Sequence, residues 1–132
     1  MKIINNNLID SVVKQAKESP RLRMNYNFHA SLDDKCHRML NALEPGTQVP
    51  IHHHMTKDES FILLRGKVRV NIYNDLGELT ETIVLCHADG NIGVDIPMNT
   101  WHNVECLEEG SVIFEVKEGP FVEHAVDGIL RV

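Results

Sequence analysis

Three consecutive histidines lie in the stretch Pro50-Ile51-His52-His53-His54-Met55-Thr56-Lys57-Asp58-Glu59-Ser60. Adjacent side chains on an extended backbone point to opposite faces, so all three cannot reach one ion. On a strand, His52 and His54 share a face and His53 opposes them, which makes the outer pair the candidate ligands. A carboxylate, Glu59, follows at the start of the apolar run Phe61 to Leu64, and His102 lies on a strand far away in sequence, within Pro97-Met98-Asn99-Thr100-Trp101-His102-Asn103-Val104. Three imidazoles and a carboxylate suit one divalent transition ion such as Zn, Mn, Fe, Ni or Co; thiolates would point to softer choices. A histidine-rich strand standing in solvent fits the HxH pattern and its nearby glutamate equally well. On either reading His53 is a solvated residue or one that supports the others.

The chain that must position these groups has 132 residues, enough for one domain that needs no staples to fold. Its net charge of −6 argues against nucleic acid and against an anionic membrane as partner, because both demand a basic patch. No apolar run reaches the length of a membrane helix, and Met1-Lys2-Ile3-Ile4-Asn5-Asn6-Asn7 turns polar too early for a signal peptide. A cytoplasmic protein is expected. Cys36, Cys86 and Cys106 form an odd set without CxxC spacing, which fits reduced thiols.

Leu8, Ile9, Val12, Val13 and Ala16 recur at helical spacing behind the cap candidates Asn6 and Asn7, and Ser19-Pro20 ends the pattern; a helix over 7–18 is predicted. From Arg21 to His29, polar odd positions alternate with apolar even ones, the mark of a strand. Ser31-Leu32-Asp33-Asp34 reads as a capping-box-like helical turn, and 38–43 fits helix or strand, with strand favoured for its latter part, until Pro45-Gly46 ends it. Further strands are expected over 59–64, 67–73, 81–86, 93–96, 101–106 and 112–117, separated by turn residues. Many short strands at regular spacing predict an all-β sandwich or barrel with N-terminal helical decoration. Residues 1–45 form the decoration and 46–120 the barrel core, within one domain over 1–132.

The odd-numbered face of the 21–29 strand carries Arg21, Arg23, Asn25, Asn27 and His29. Arginine forks take carboxylate and phosphate bidentately, so these residues are candidates for holding an anionic or sugar-like ligand, against the alternative of a solvated strand face. Strand parity sets Val104 and Cys106 beside His102, and Phe61 and Leu63 beside Glu59, as walls of the same pocket or as plain barrel core. Cys106 thereby joins the candidate substrate contacts. Lys57 and His29 are the candidates for proton transfer. Trp101, opposite His102, is expected to pack. Ile62 and Leu64, opposite the pocket face, suggest a second packed layer or a homodimer interface.

The segment Gly46 to Gly66 reads G-(x)5-H-x-H-(x)4-E-(x)6-G on Gly46, His52, His54, Glu59 and Gly66. It resembles the first motif of the cupin superfamily at every marked position. The second cupin motif is partly present: Pro97 and His102 have its separation, while Asn99 stands for a glycine and Cys106 for an asparagine. Asparagine tolerates positive φ, so the turn can survive at Asn99. Through RLRMNYNFH, SLDD, RMLNALEPGT, IPMNTWHNV and FEVKEGP the chain further looks like the small WbuC-type cupin-fold metalloproteins associated with O-antigen and surface-polysaccharide gene clusters.

That resemblance implies a cupin jelly-roll β-barrel in which His52, His54, Glu59 and His102 hold one metal. Cupins span isomerases, dioxygenases, decarboxylases and binding proteins, and fold does not settle chemistry. The expected function is metal-assisted isomerisation, or a related modification, of a small carbohydrate-derived substrate. The alternatives are an iron-dependent dioxygenase and a sugar- or effector-binding module without turnover. A metal-free epimerase is disfavoured: the histidines are committed to the ion, and Tyr26 and Tyr73 have no strong claim to the pocket.

Overall fold

A computed structural model describes residues 1–121 and 129–130. Helix α1 covers Asn6–Glu18. The strands are β1 (Arg23–Asn27), β2 (Cys36–Leu43), β3 (Ile51–His52), β4 (Glu59–Arg65), β5 (Lys67–Tyr73), β6 (Leu79–Cys86), β7 (Gly93–Ile96), β8 (Trp101–Cys106), β9 (Ser111–Glu118) and β10 (Ile129–Leu130). They form two antiparallel sheets in the orders β1-β2-β9-β4-β7 and β10-β3-β8-β5-β6, so the fold is the expected all-β jelly roll with one N-terminal helix. Neighbours in each sheet are mostly distant in sequence, as jelly-roll winding requires.

Period-two alternation sorts the side chains of the first sheet. Leu43 of β2, Phe61 and Leu63 of β4 and Ile113 of β9 point inward and meet Val68, Val70, Leu85 and Val104 of the second sheet. The opposite parity, Met24, Tyr26, Leu40, Ala42, Leu64, Val112 and Phe114, faces outward and is covered by Ile9, Val12, Val13 and Ala16 of α1. Burying each of these aliphatic side chains contributes about 1.5–3 kcal/mol for the larger ones. The strands beneath the helix are therefore apolar on both faces, and Leu64 finds its second layer there. Ile62, on the same outer face beyond the helix, is 50% exposed.

Several local expectations shift. The helix starts one residue earlier than predicted, because Asn5 rather than Asn6 or Asn7 caps it, its Oδ1 accepting the Leu8 amide at 3.1 Å. The 21–29 strand contracts to 23–27. Leu22, at φ +55°, turns the chain before it. Ser31 to Asp34 forms a turn rather than a helical cap, with Asp34 Oδ2 accepting the Ala30 amide at 2.8 Å. A 3-10 turn over His87–Asp89 has no counterpart in the sequence reading.

The turn between β4 and β5 carries the chain from one sheet to the other and packs against the start of β9. Gly66 has φ +84°, and a Cβ there would lie 2.3 Å from Ser111 Oγ and 2.7 Å from Ser111 Cα. Ser111 Oγ in turn takes the Lys67 amide at 3.0 Å and donates to the Glu108 carbonyl at 2.6 Å. Gly66→Ala is expected to destabilise the protein by about 2–4 kcal/mol, the sum of left-handed strain and overpacking. Chemical denaturation checks this; a loss below about 0.5 kcal/mol, the size of a neutral surface change, would show that the turn relaxes freely.

Candidate metal centre

The ligand set comes from three strands and one loop. β3 is only two residues long, so the triple histidine is not one continuous strand: His52 belongs to it, and the chain leaves the sheet at His53 and His54. His52 sits directly across from His102 in the β3–β8 register, and their rings lie 4.4 Å apart. Glu59, the first residue of β4, enters from the opposite sheet. The turn after Pro97 fixes His54: Asn99 adopts φ +61°, as a residue replacing glycine there must, and its amide donates to the His54 carbonyl at 2.8 Å. The Met98 amide caps Asp58 Oδ1 at 2.9 Å, tying the same turn to the loop before Glu59.

The donors are oriented by their far ends. His52 Nδ1 donates to the Pro50 carbonyl at 2.8 Å, and His102 Nδ1 to the Thr100 carbonyl at 2.7 Å. Each bond uses the Nδ1 proton and turns Nε2 toward the other donors, the arrangement that metal-binding histidines use. His102 Nε2 contacts Glu59 Oε1, and His54 Nε2 lies 3.7 Å from Glu59 Oε2. One ligand atom from each of His52, His54, Glu59 and His102 falls within 4.8 Å of all the others. Ligands about 2.1 Å from a common ion lie at most roughly 4.2 Å apart, so small side-chain adjustments close the set. Glu59 is 3% exposed and its Oε2, though buried, has no hydrogen-bond partner among the described residues. A buried carboxylate oxygen left in this condition fits a cation. The residues therefore suit one divalent ion.

Charge reinforces this geometry. Burial opposes the charge on Glu59, yet the hydrogen bond and charge of His102, with Lys117 and His54 behind, hold its carboxyl at about 2. Burial pushes His102 down, but contact with Glu59 more than offsets that and raises it. Burial and the neighbouring His102 depress His52 to about 3, so it stays neutral and ready to ligate.

His53 points away. Its ring packs on Trp101 at 3.8 Å, and Trp101 Nε1 donates to Asp75 at 2.9 Å, so both residues brace the outside of the second sheet.

The cluster lies in the wall of two adjoining cavities, of about 200 and 320 Å³, which share Arg23, Asn25, Asn41, Val49, His52 and Glu115. Arg21 lines the smaller one; Asn27, His29 and Lys57 line the larger. Arg23 also donates to the Gln48 carbonyl at 2.8 Å, bracing the loop that leads to β3, and Asn25 donates to Asn27 Oδ1 at 2.9 Å. Cys106 lies apart from both cavities, in a recess with Gly46 to Val49, where its sulfur is 3.1 Å from the Leu43 carbonyl and 3.0 Å from the Glu108 carbonyl, acceptors for its single S–H. Burial pushes that thiol up from its ordinary range.

Sequence reasoning overlooked Glu115, Lys117, Asn41 and His37, all of which line the cavities. Glu115 and Lys117 share the inward parity of Ile113 on β9, and Glu115 is pushed up to about 7 by burial and the charge of Glu59. The alternation Val112, Phe114, Val116 against Glu115 and Lys117 was available as a signal, but charged parity ordinarily means solvent.

The fold defines the class: this is a cupin jelly roll. The Cnp3 cupin domain of Schizosaccharomyces pombe is similar at 11% identity and TM-score 0.57, over 74% of this chain and 60% of that one. KdgF from Halomonas sp. is similar at 16% identity and TM-score 0.59, over 79% of this chain and 84% of that one. The capsular polysaccharide assembling protein CapF of Staphylococcus aureus is similar at 21% identity and TM-score 0.61; 85% of this chain aligns with 32% of CapF. No curated protein matches the sequence. The chain belongs to the family described as "Domain of unknown function (DUF6016)", whose match over residues 4–85 takes in His52, His54 and Glu59.

Two outcomes follow for the ligand set. Untagged protein should carry one divalent ion per chain by elemental analysis; His102→Ala should lose it and His53→Ala should keep it, and the reverse pattern would refute the assignment. In metal-free protein His52 should contribute a loss of stability as the pH falls from 6.5 towards about 3, because the unfolded chain protonates it in that window while the folded chain does not. His52→Gln should flatten that slope in pH-dependent denaturation; an unchanged slope would place its origin elsewhere.

Proposed function

We propose that this chain, read as one domain over 1–132, is a divalent-metal cupin of the WbuC type that isomerises, or modifies by related proton transfer, a small carbohydrate-derived substrate of surface-polysaccharide metabolism. The observation that carries this reading is that the ligand cluster opens onto cavities lined by Arg21, Arg23, Asn25, Lys57 and His29 rather than being sealed in apolar core. The description of CapF as a capsular polysaccharide assembling protein supports the metabolic setting.

His52, His54, Glu59 and His102 would hold the ion, which supplies Lewis acidity toward a substrate oxygen. Arg21 and Arg23 present guanidinium donors for the substrate's polar or anionic groups, and Asn25 and Asn27 offer amide contacts beside them. Lys57 and His29 are the groups that exchange a proton with a substrate atom. Both are almost fully buried, which excludes bulk water from that exchange. Cys106, in its separate recess, tunes barrel packing rather than touching substrate.

We place the protein in the cytoplasm as a homodimer. No helix among the described residues is long and apolar enough to cross a membrane, and the three cysteines are free thiols. Exposed Ile62 on the first sheet gives self-association an apolar contact.

Protein loaded in turn with iron, manganese and zinc and offered candidate sugars in deuterated water tests the reading. Deuterium should enter the substrate, and Lys57→Met together with His29→Gln should abolish its entry while leaving the metal bound. Oxygen consumption with iron and no deuterium entry would overturn isomerisation in favour of oxygenation; tight binding with neither signal would leave a binding module.

A further inference from the structure

The larger cavity extends past the ligand set to an arm walled by His29, His37, Lys57 and Lys117. His29 is 6% exposed. Its Nδ1 lies 3.2 Å from the Arg38 carbonyl, which the Phe28 amide also uses at 2.8 Å, and 3.1 Å from the Arg38 amide; that N–H can only donate and is aimed at Nδ1, so Nδ1 is the acceptor. A lone pair on Nδ1 puts the proton of the neutral ring on Nε2. That Nε2 is buried and has no hydrogen-bond partner among the described residues. Its direction is set by a parallel stack on His37, with ring centroids 4.0 Å apart and planes 11° apart, and His37 is itself anchored through Nε2 to the Leu32 carbonyl at 3.0 Å.

Two ammonium groups share the arm. Lys57 is 6% exposed and donates to the Pro120 carbonyl, which leaves N–H donors to spare. Lys117 lies opposite Glu59 in the β9–β4 register, with its Nζ 3.5 Å from Glu115 Oε2. Among the residues lining this cavity, Arg23, Lys57 and Lys117 are cationic and Glu115 alone is a carboxylate, although the chain as a whole carries −6. Lys57 is buried and Arg23 and Lys117 are half-buried; even with Glu59 counted across the register from Lys117, these cations outnumber the carboxylates, and a buried N–H without a partner beside them is costly unless an anion complements it.

We propose that this arm is a binding subsite for an oxyanion, a phosphate ester or carboxylate at one end of the substrate, held by the His29 Nε2–H and the ammonium groups of Lys57 and Lys117. The inference rests on the metal-cupin reading and narrows its substrate to an acidic or phosphorylated sugar-like molecule, with one end at the ion and the other in the arm. Lys57 and His29 then hold the oxyanion as N–H donors, and any proton they pass goes to substrate atoms beside that end rather than at the ion.

The test follows the His29 Nε2 resonance by nitrogen-15 NMR while inorganic phosphate, and separately acetate, is titrated into full-length protein at constant ionic strength. Metal-loaded and metal-stripped samples are both measured. A saturable shift is expected in both, with affinity at least ~10-fold weaker in Lys117→Gln and in Lys57→Gln, the size of losing one charge-assisted hydrogen bond. The tighter of the two anions names the chemistry of the substrate's end. The stripped sample decides the subsite even if no metal binds to wild type, so the two readings fail separately. An unmoved His29 in well-dispersed spectra would overturn the proposal, as would phosphate binding that appears only with metal and leaves His29 unmoved. Should either lysine variant fail to fold, the wild-type titration alone still decides.

Discussion

A carboxylate buried between two sheets is the constraint around which this barrel is arranged. Glu59 is 3% exposed, and removing such a charge from water costs several kcal/mol even after the protein relaxes. The fold answers with His102 in contact with one oxygen, His54 near the other and Lys117 across the strand register. Because His52 and His102 are paired on one sheet and Glu59 starts a strand of the other, the site exists only when the sheets are packed in register. A cation that completed the set would therefore stabilise the packed state over the unfolded one.

That constraint divides the interior. At one end Phe61, Leu63, Val68, Val70, Leu85 and Ile113 fill the barrel in the ordinary way. At the other, the inward positions of the same strands carry Glu59, Asn41, His37, Glu115 and Lys117, and space replaces side-chain packing. The stability forgone there is recovered outside, where α1 seals the outer face of β1, β2 and β9. The helix is thus more than decoration. It lets the first sheet keep one dry face while the other is given over to polar groups.

The ligand residues were readable from the sequence because their types are rare in combination and their spacing is rigid. His52, His54 and Glu59 lie within one strand-loop-strand passage, and His102 follows a proline turn whose positive φ at Asn99 the sequence also signals. Strand parity groups His52 with His54 against His53, and the structure brings those two together with Glu59 and His102, although the strand itself ends at His52 and the pairing owes as much to the Asn99 contact. The inward face of β1 could likewise be read from its alternation. What could not be read was the face chosen by β9, since Glu115 and Lys117 would sit in solvent on most sheets and only the helix on the opposite side forces them inward. The stack of His29 on His37 joins residues from a loop and a neighbouring strand, which no local pattern reveals. Cys106 shares the parity of His102 but lies farther along β8, beyond the reach of the cavities, a distance that parity does not encode.

X-ray absorption spectroscopy at the edge of whichever metal the untagged protein binds examines the ligand set most directly, because it reports the donor atoms themselves. Three imidazole nitrogens and one carboxylate oxygen in the first coordination sphere, with loss of one imidazole contribution in His54→Ala, are the predicted result. A sulfur scatterer, or a shell holding fewer than three imidazoles in the wild-type protein, would contradict the structure-based assignment.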